Sequence, residues 1–176
     1  MANDIKAGEI GADKIGAGKI RIESWHPRWA NAFRDLNLEW LERYFVVEPV
    51  DREVLDNPQR LIIDAGGEIL FAVDGEDRVL GTCALLRIND DEVELTKMGV
   101  TAASQGAGIG RRLIVAAIER FRQMPGDTLF LETNSVLTPA LALYRSVGFE
   151  LQDGIRPGSH YDRADTYMIW RGPEAA

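Results

Sequence analysis

The chain has 176 residues, a formal net charge of −8, 45% hydrophobic residues and 27% charged residues. That length and balance suit one globular domain with a real core, and no apolar run approaches the roughly 20 residues that span a bilayer. An acidic surface repels phosphate backbones, which argues against nucleic acid and mildly favours cationic small molecules or basic peptides.

The single cysteine, Cys83, excludes an internal disulfide, and with only His26 and His160 as histidines a zinc-type metal site is not expected. From the N-terminus to residue 20, isoleucines recur at every fifth position (Ile5, Ile10, Ile15, Ile20), the first three within residues 1–19, among Gly, Ala, Lys and Glu. Neither a helix nor a strand has that period, so this stretch reads as a flexible tail. It has no apolar signal core, and a cytoplasmic location is the expectation. A single domain is expected over 20–173.

In chain order, 19–24 predicts a first strand. Pro27 sits where a helix can begin, since its missing N–H costs nothing there. Trp29, Phe33, Leu36, Trp40, Leu41 and Tyr44 then recur at three- and four-residue steps, the apolar face of a helix. A short helix follows over 51–55, ending before Pro58. Segments 68–73 and 79–88 flank Asp74-Gly75, a hairpin signal; Asn89-Asp90-Asp91 makes another turn, and 93–100 completes a meander. After Gly110 the pattern turns helical through Phe121 and stops at Pro125-Gly126. A strand over 129–133 precedes Thr138-Pro139, read as N-cap and first helical residue. That helix ends at Gly148, a left-handed cap. Strands over 149–151 and 164–170 close the chain. The order predicts an α/β fold with a mixed central sheet and helices on both faces.

Gln105-Gly106-Ala107-Gly108-Ile109-Gly110 joins a strand to a helix. The first N–H groups of a helix lack intrahelical partners, and glycines let a phosphate approach the backbone, where the helix dipole favours an anion. Arg111 follows at once. Gly110 is followed by Arg-Arg rather than Lys-Ser/Thr, so this is not a Walker loop. Its spacing and position also differ from a dinucleotide fingerprint.

The segment from Val93 to Arg112 resembles the acetyl-CoA-binding motif of the GNAT acetyltransferase superfamily, a strand followed by Gln/Arg-x-x-Gly-x-Gly/Ala and a helix; Gln105, Gly108 and Gly110 match it. A second block, Leu129 to Asn134 followed by Ala142-Leu-Tyr-Arg-Ser-Val-Gly-Phe149, resembles the family's later strand and helix. The resemblance implies a mostly antiparallel GNAT-like sheet and acetyl-CoA as cosubstrate. It implies that the loop N–H groups from Gln105 through Gly106, Ala107, Gly108 and Ile109 to Gly110, with Arg111, hold the pyrophosphate. The backbone of Met98, Gly99 and Val100 would pair with the pantetheine arm, and Asn134 would hydrogen-bond the pantetheine or the start of the following helix. Tyr144, four residues before Gly148-Phe149, matches the family's general acid for the departing thiolate.

An amine must be neutral to attack a thioester, although a free alkylamine has a pKa of about 10.4, so a base or a water leading to one is needed. Glu94 is the preferred base. Two-residue alternation puts residues 94, 96, 98 and 100 on one face, beside the cofactor-binding backbone. Glu132, on the neighbouring strand, competes with it, and water remains open. Cys83, inside an apolar strand, reads as a buried inert thiol. His26 reads as solvated or capping, and His160-Tyr161 as a weak specificity candidate. Trp29, Trp40, Tyr44 and Phe45 read as core or cleft-wall aromatics.

The reading is an N-acetyltransferase that transfers acetyl to a primary amine, in a small molecule or a peptide, by direct attack in a ternary complex. The alternative is a non-catalytic acyl-CoA-binding or regulatory module on the same fold. Acyl-chain preference and homodimerisation stay open.

Overall fold

The structure is a computed structural model that describes residues 20–172. The tail expected over 1–19 and residue 173, the expected end of the domain, lie outside the described residues. The elements are β1 (Arg21–Ser24), α1 (Ala30–Tyr44), α2 (Pro49–Asp56), β2 (Glu68–Val73), β3 (Val79–Arg87), β4 (Glu92–Val100), α3 (Ile109–Phe121), β5 (Thr128–Thr133), α4 (Thr138–Ser146), β6 (Phe149–Leu151) and β7 (Thr166–Trp170). The strands form one seven-stranded sheet in the order β1-β2-β3-β4-β5-β7-β6. The β4–β5 pair is parallel and all the others are antiparallel.

Alternation along β2 shows how the sheet divides its core. Ile69, Phe71 and Val73 pack with Phe33 and Leu41 of α1 and Val54 and Leu55 of α2. Leu70 and Ala72 face the opposite cluster, with Ile109, Leu113 and Ala117 of α3 and Leu141 of α4. Side chains of a strand point alternately to its two faces, so one strand feeds both layers. Helices therefore cover both faces, as the sequence predicts.

Local differences have local causes. His26 accepts the Arg28 N–H through Nδ1 and caps a short 3-10 turn over Pro27–Trp29, after which α1 begins at Ala30. The buried side of α1 is Phe33, Asn37 and Leu41, with Tyr44 exposed at its end. Asn37 is tolerated inside because its amide donates to the Phe33 carbonyl at 2.9 Å. Leu137, not Thr138, is the N-cap of α4, and Pro139 sits one position further in than expected. A π-type turn over Gln59–Ile63 carries α2 back to the sheet.

A bulge in β4 is the difference that matters most. Thr82 of β3 faces Gly99, and Ala84 faces Thr96. Lys97 and Met98 therefore stand opposite Cys83 alone, and Lys97 takes a left-handed φ of 49°. The extra residue reverses the alternation. Glu94 lies opposite Leu86, on the side of α1 and α2, whereas Met98 and Val100 pack against the α3 cluster. The expectation that residues 94, 96, 98 and 100 share one face is thus corrected. Beyond Glu94↔Phe130 the parallel pairing of β4 with β5 ends.

Candidate active site

Where β4 and β5 part, a cleft of about 180 Å³ opens between α1, the two strands, α4 and the connection 152–165. Lys97, Met98, Glu132, Asn134 and Tyr144 all reach its wall, as do Trp40, Phe45, Asp51, Tyr161 and Arg163. Of the four candidate aromatics, Trp40 and Phe45 line the cleft, Trp29 is buried in the core and Tyr44 is exposed. His160 is exposed, while its neighbour Tyr161 is at the wall.

Past Met98, which lines the cleft, the chain leaves β4 at Val100 and enters α3 at Ile109. Gly106 and Gly108 adopt φ of 81° and 76°, conformations that side-chain-bearing residues rarely adopt. A Cβ built on either would meet nothing within 4 Å, so the space above both is open. Among the described residues, the N–H groups of Gly106, Gly108, Ile109, Gly110 and Arg111 have no protein acceptor. Open space over successive unpaired N–H groups at the head of a 13-residue helix is an anion cradle.

Gly110 and Gly99 serve packing instead. A Cβ on Gly110 would come to 3.0 Å from Met98 Cε and 3.2 Å from Leu143 Cδ2, and one on Gly99 to 3.2 Å from the Leu36 carbonyl oxygen of α1. Arg111 is drawn to α4 by a 2.8 Å hydrogen bond to Ser146 Oγ. The Asn134 amide donates to the Arg163 carbonyl at 2.7 Å and its oxygen accepts the Val136 N–H, so it clasps the β5 end to the strand β7 approach.

Burial shifts Tyr144, Cys83 and Glu94 upward. Tyr144 is half-buried, its ring edge-on to Phe149. Desolvation, with Cys83 nearby, pushes its phenol up to about 12, so it remains a neutral hydroxyl donor. Cys83 itself is wholly buried and its thiol is also pushed up to about 12. Glu94 is 4% exposed. Burial raises its carboxyl to about 7, with Lys97 opposing and Glu132 adding to the rise. Glu94 does not reach the cleft wall, whereas Glu132 does, and Glu132 Oε1 is buried without a hydrogen-bond partner.

Facing these carboxylates is an ion network that sequence reasoning did not find. Asp51 Oδ1 accepts from Lys97 Nζ and from Arg163 Nη2, both at 2.9 Å, and Oδ2 accepts from Arg163 Nη1 at 2.7 Å and from the Glu48 N–H at 3.1 Å. Lys97 also donates to Tyr161 Oη at 3.1 Å, and Arg163 Nη1 lies 3.1 Å from Glu48 Oε1. Burial alone would raise the Asp51 carboxyl. The Arg163 and Lys97 partners outweigh it and hold that carboxyl below its ordinary range. The only sequence signal was a lysine inside a strand that also carries Glu92, Glu94 and Thr96, which does not mark it out.

Comparison with known proteins places this geometry. A profile of the Acetyltransferase (GNAT) family matches residues 24–149. The uncharacterized N-acetyltransferase YvbK of Bacillus subtilis is 31% identical over 108 residues, covering 60% of this chain and 69% of that protein. Other curated relatives are matched over 43%, 52% and 56% of their own length. An acetyltransferase of the GNAT family from Staphylococcus aureus superposes with a TM-score of 0.76 at 19% identity, covering 86% of this chain and 98% of that one. A phosphinothricin acetyltransferase from Sinorhizobium meliloti, solved in complex with AcCoA, superposes with a TM-score of 0.71 at 17% identity, covering 88% and 89%. Those structural likenesses concern the fold. Because the family profile spans well over half of the sequence, the chain belongs to the acetyltransferase (GNAT) family and is an enzyme of that family.

Proposed function

We propose that this enzyme transfers acetyl from acetyl-CoA to a primary amine by direct attack, both substrates being bound together. The observation that carries the reading is the presence of three features around the parting of β4 and β5, the first reaching the cleft only through the contact of Gly110 with Met98. They are the open cradle over Gly106 and Gly108, the unpartnered oxygen of Glu132, and the neutral hydroxyl of Tyr144.

Acetyl-CoA supplies the activated acetyl group. The free N–H groups of Gly106, Gly108, Ile109, Gly110 and Arg111 suit its pyrophosphate, whereas those of Gln105 and Ala107, expected to join them, donate to the Ala102 and Ser104 carbonyls. The Met98–Val100 backbone, past the point where β4 leaves β5, suits its amide-bearing arm. The AcCoA complex of the Sinorhizobium neighbour supports this choice of donor.

The acceptor enters from the side of α1. As its nitrogen bonds to the acetyl carbon, the proton it loses passes to Glu132, directly or through one water. Glu94, buried on the same sheet face and held near neutrality, is the next carboxylate behind it. The sequence-based choice of Glu94 as the group that meets the amine therefore gives way, in this reading, to a pair with Glu132 in front. When the carbon–sulfur bond breaks, the sulfur takes up a proton, and Tyr144 is the hydroxyl donor placed to stabilise it. Asn134 acts here as a clasp that fixes the cleft wall. The reaction needs no covalent enzyme intermediate, consistent with a buried thiol at Cys83.

The test is calorimetric titration with acetyl-CoA, followed by thiol release on adding amines to parent and Glu132→Gln enzyme. Binding without turnover on any amine would refute the catalytic reading. An unchanged Glu132→Gln rate would refute the assignment of the base.

A further inference from the structure

The reading above leaves the acceptor unnamed, and the cleft itself constrains it; the inference here rests on that reading. Six apolar side chains form much of the wall: Trp40, Leu41, Phe45, Leu95, Leu137 and Ala140. The volume, about 180 Å³, is small beside the several hundred Å³ of a typical ligand pocket, and an apolar cavity of on the order of 150 Å³ already accommodates benzene.

The charges facing the cleft decide the rest. Asp51, Lys97, Glu132 and Arg163 line it. Both cations are spent on Asp51, whose two oxygens together accept from Lys97, twice from Arg163 and once from the Glu48 N–H. The side chains of Asp51 and Lys97 are 0% and 4% exposed, too enclosed to exchange their partners for a bulky anion. Glu132 is left as the wall charge without a counter-charge among the described residues.

We propose that the acceptor is a small primary monoamine with an apolar body, aromatic or aliphatic, and no carboxylate. Its ammonium pairs with Glu132 on entry and its body lies against Trp40 and Phe45. A carboxylate on the same molecule finds no free cation and is repelled by Glu132. A second ammonium finds no second free carboxylate, because Asp51 is saturated. An uncompensated charge buried in such a site costs several kcal/mol at the extreme, so discrimination of at least about tenfold follows from only ~1.4 kcal/mol of it.

Matched pairs of acceptors test this by kcat/KM, read as thiol release from acetyl-CoA. 2-Phenylethylamine and L-phenylalanine differ by a carboxylate, and hexylamine and 1,6-diaminohexane by a second ammonium. An alanyl peptide amide represents protein N-termini. The expected result is a preference of about tenfold or more for 2-phenylethylamine and for hexylamine within their pairs, with the peptide amide poorer than either. Phe45→Ala should raise KM for 2-phenylethylamine about tenfold and leave acetyl-CoA affinity unchanged. Ratios near one, a reversed order, or the peptide as best acceptor would overturn the inference. Acetyl-CoA bound in calorimetry with no turnover of either monoamine would overturn it while sparing the donor site. Absence of acetyl-CoA binding would overturn the parent reading with it.

Discussion

Glu94→Gln offers a test that needs no substrate. The carboxyl has a reference pKa of 4.5 and titrates at about 7 in the fold, chiefly because burial disfavours its charge. The native state thus holds this proton more tightly than the unfolded chain does. Its contribution to stability is complete below pH 4.5 and is lost as pH rises through about 7. At roughly 1.4 kcal/mol per pKa unit, the loss amounts to about 3 kcal/mol by pH 8. For a chain of this size that is a difference in melting temperature of about 6–12 °C. Gln keeps the shape and cannot ionise. Urea unfolding of parent and variant at steps from pH 4.5 to 8 should therefore give a stability difference that grows with pH in favour of the variant. Asp51, Asp74 and Asp165, whose carboxyls are all lowered, titrate in a more acidic range and are common to both proteins, so they cancel. A difference that stays constant across the range would refute the reasoning and mean that Glu94 ionises in the fold as it does in water.

Other outcomes follow from the same geometry. Gly108→Val forces a β-branched residue into a left-handed conformation at the head of α3, which should cost about 1–2 kcal/mol in a melting experiment and weaken acetyl-CoA binding at least tenfold by calorimetry. Asp51→Ala strands the buried Lys97 ammonium and half-buried Arg163 guanidinium, and should lower stability by about 3–5 kcal/mol in chemical unfolding. Tyr144→Phe removes only a hydroxyl that has no protein partner among the described residues, so melting should barely move, while the single-turnover rate should fall roughly 10–100-fold.

Most elements were legible because local signals agree with the fold. The apolar periods of α1 and α3, the Asp74-Gly75 hairpin and Gly148 beyond α4 each act within a few residues. The cradle was legible for the same reason, since a strand, a glycine loop and a helix are contiguous. What escaped depends on distance. Asp51, Lys97 and Arg163 lie 46 and 112 residues apart, and no local pattern says that α2, the β4 bulge and the β7 approach converge. Tyr44 continues the period of α1, but the helix ends at that residue and its ring stays in solvent. The parting of the strands decides which of two glutamates on one sheet face meets the cleft, and it is Glu132, not Glu94, that reaches the wall.

The bulge at Lys97 explains why both halves of the site fit on one strand. A regular β4 would point residues 94, 96, 98 and 100 to one side and continue its pairing with β5. One inserted residue changes both outcomes. N-terminal to it, Glu94 faces α1 and α2, with Glu132 on the same sheet face; C-terminal to it, Met98 and Val100 turn to α3 and the cradle. In the proposed mechanism, the acceptor carboxylates and the donor-binding backbone stand on opposite sides of a single kink, and the reacting atoms would meet at it. The kink carries a left-handed non-glycine residue, a conformation that costs of order 1 kcal/mol and persists only where surroundings over-determine it. The surroundings here are the Lys97 ammonium locked onto Asp51 and Tyr161. The ion network and the bulge are on this argument one device. Lys97, buried in the sheet beside Asp51 and Tyr161, holds β4 in the shape that opens the cleft, and its charge is consumed in doing so.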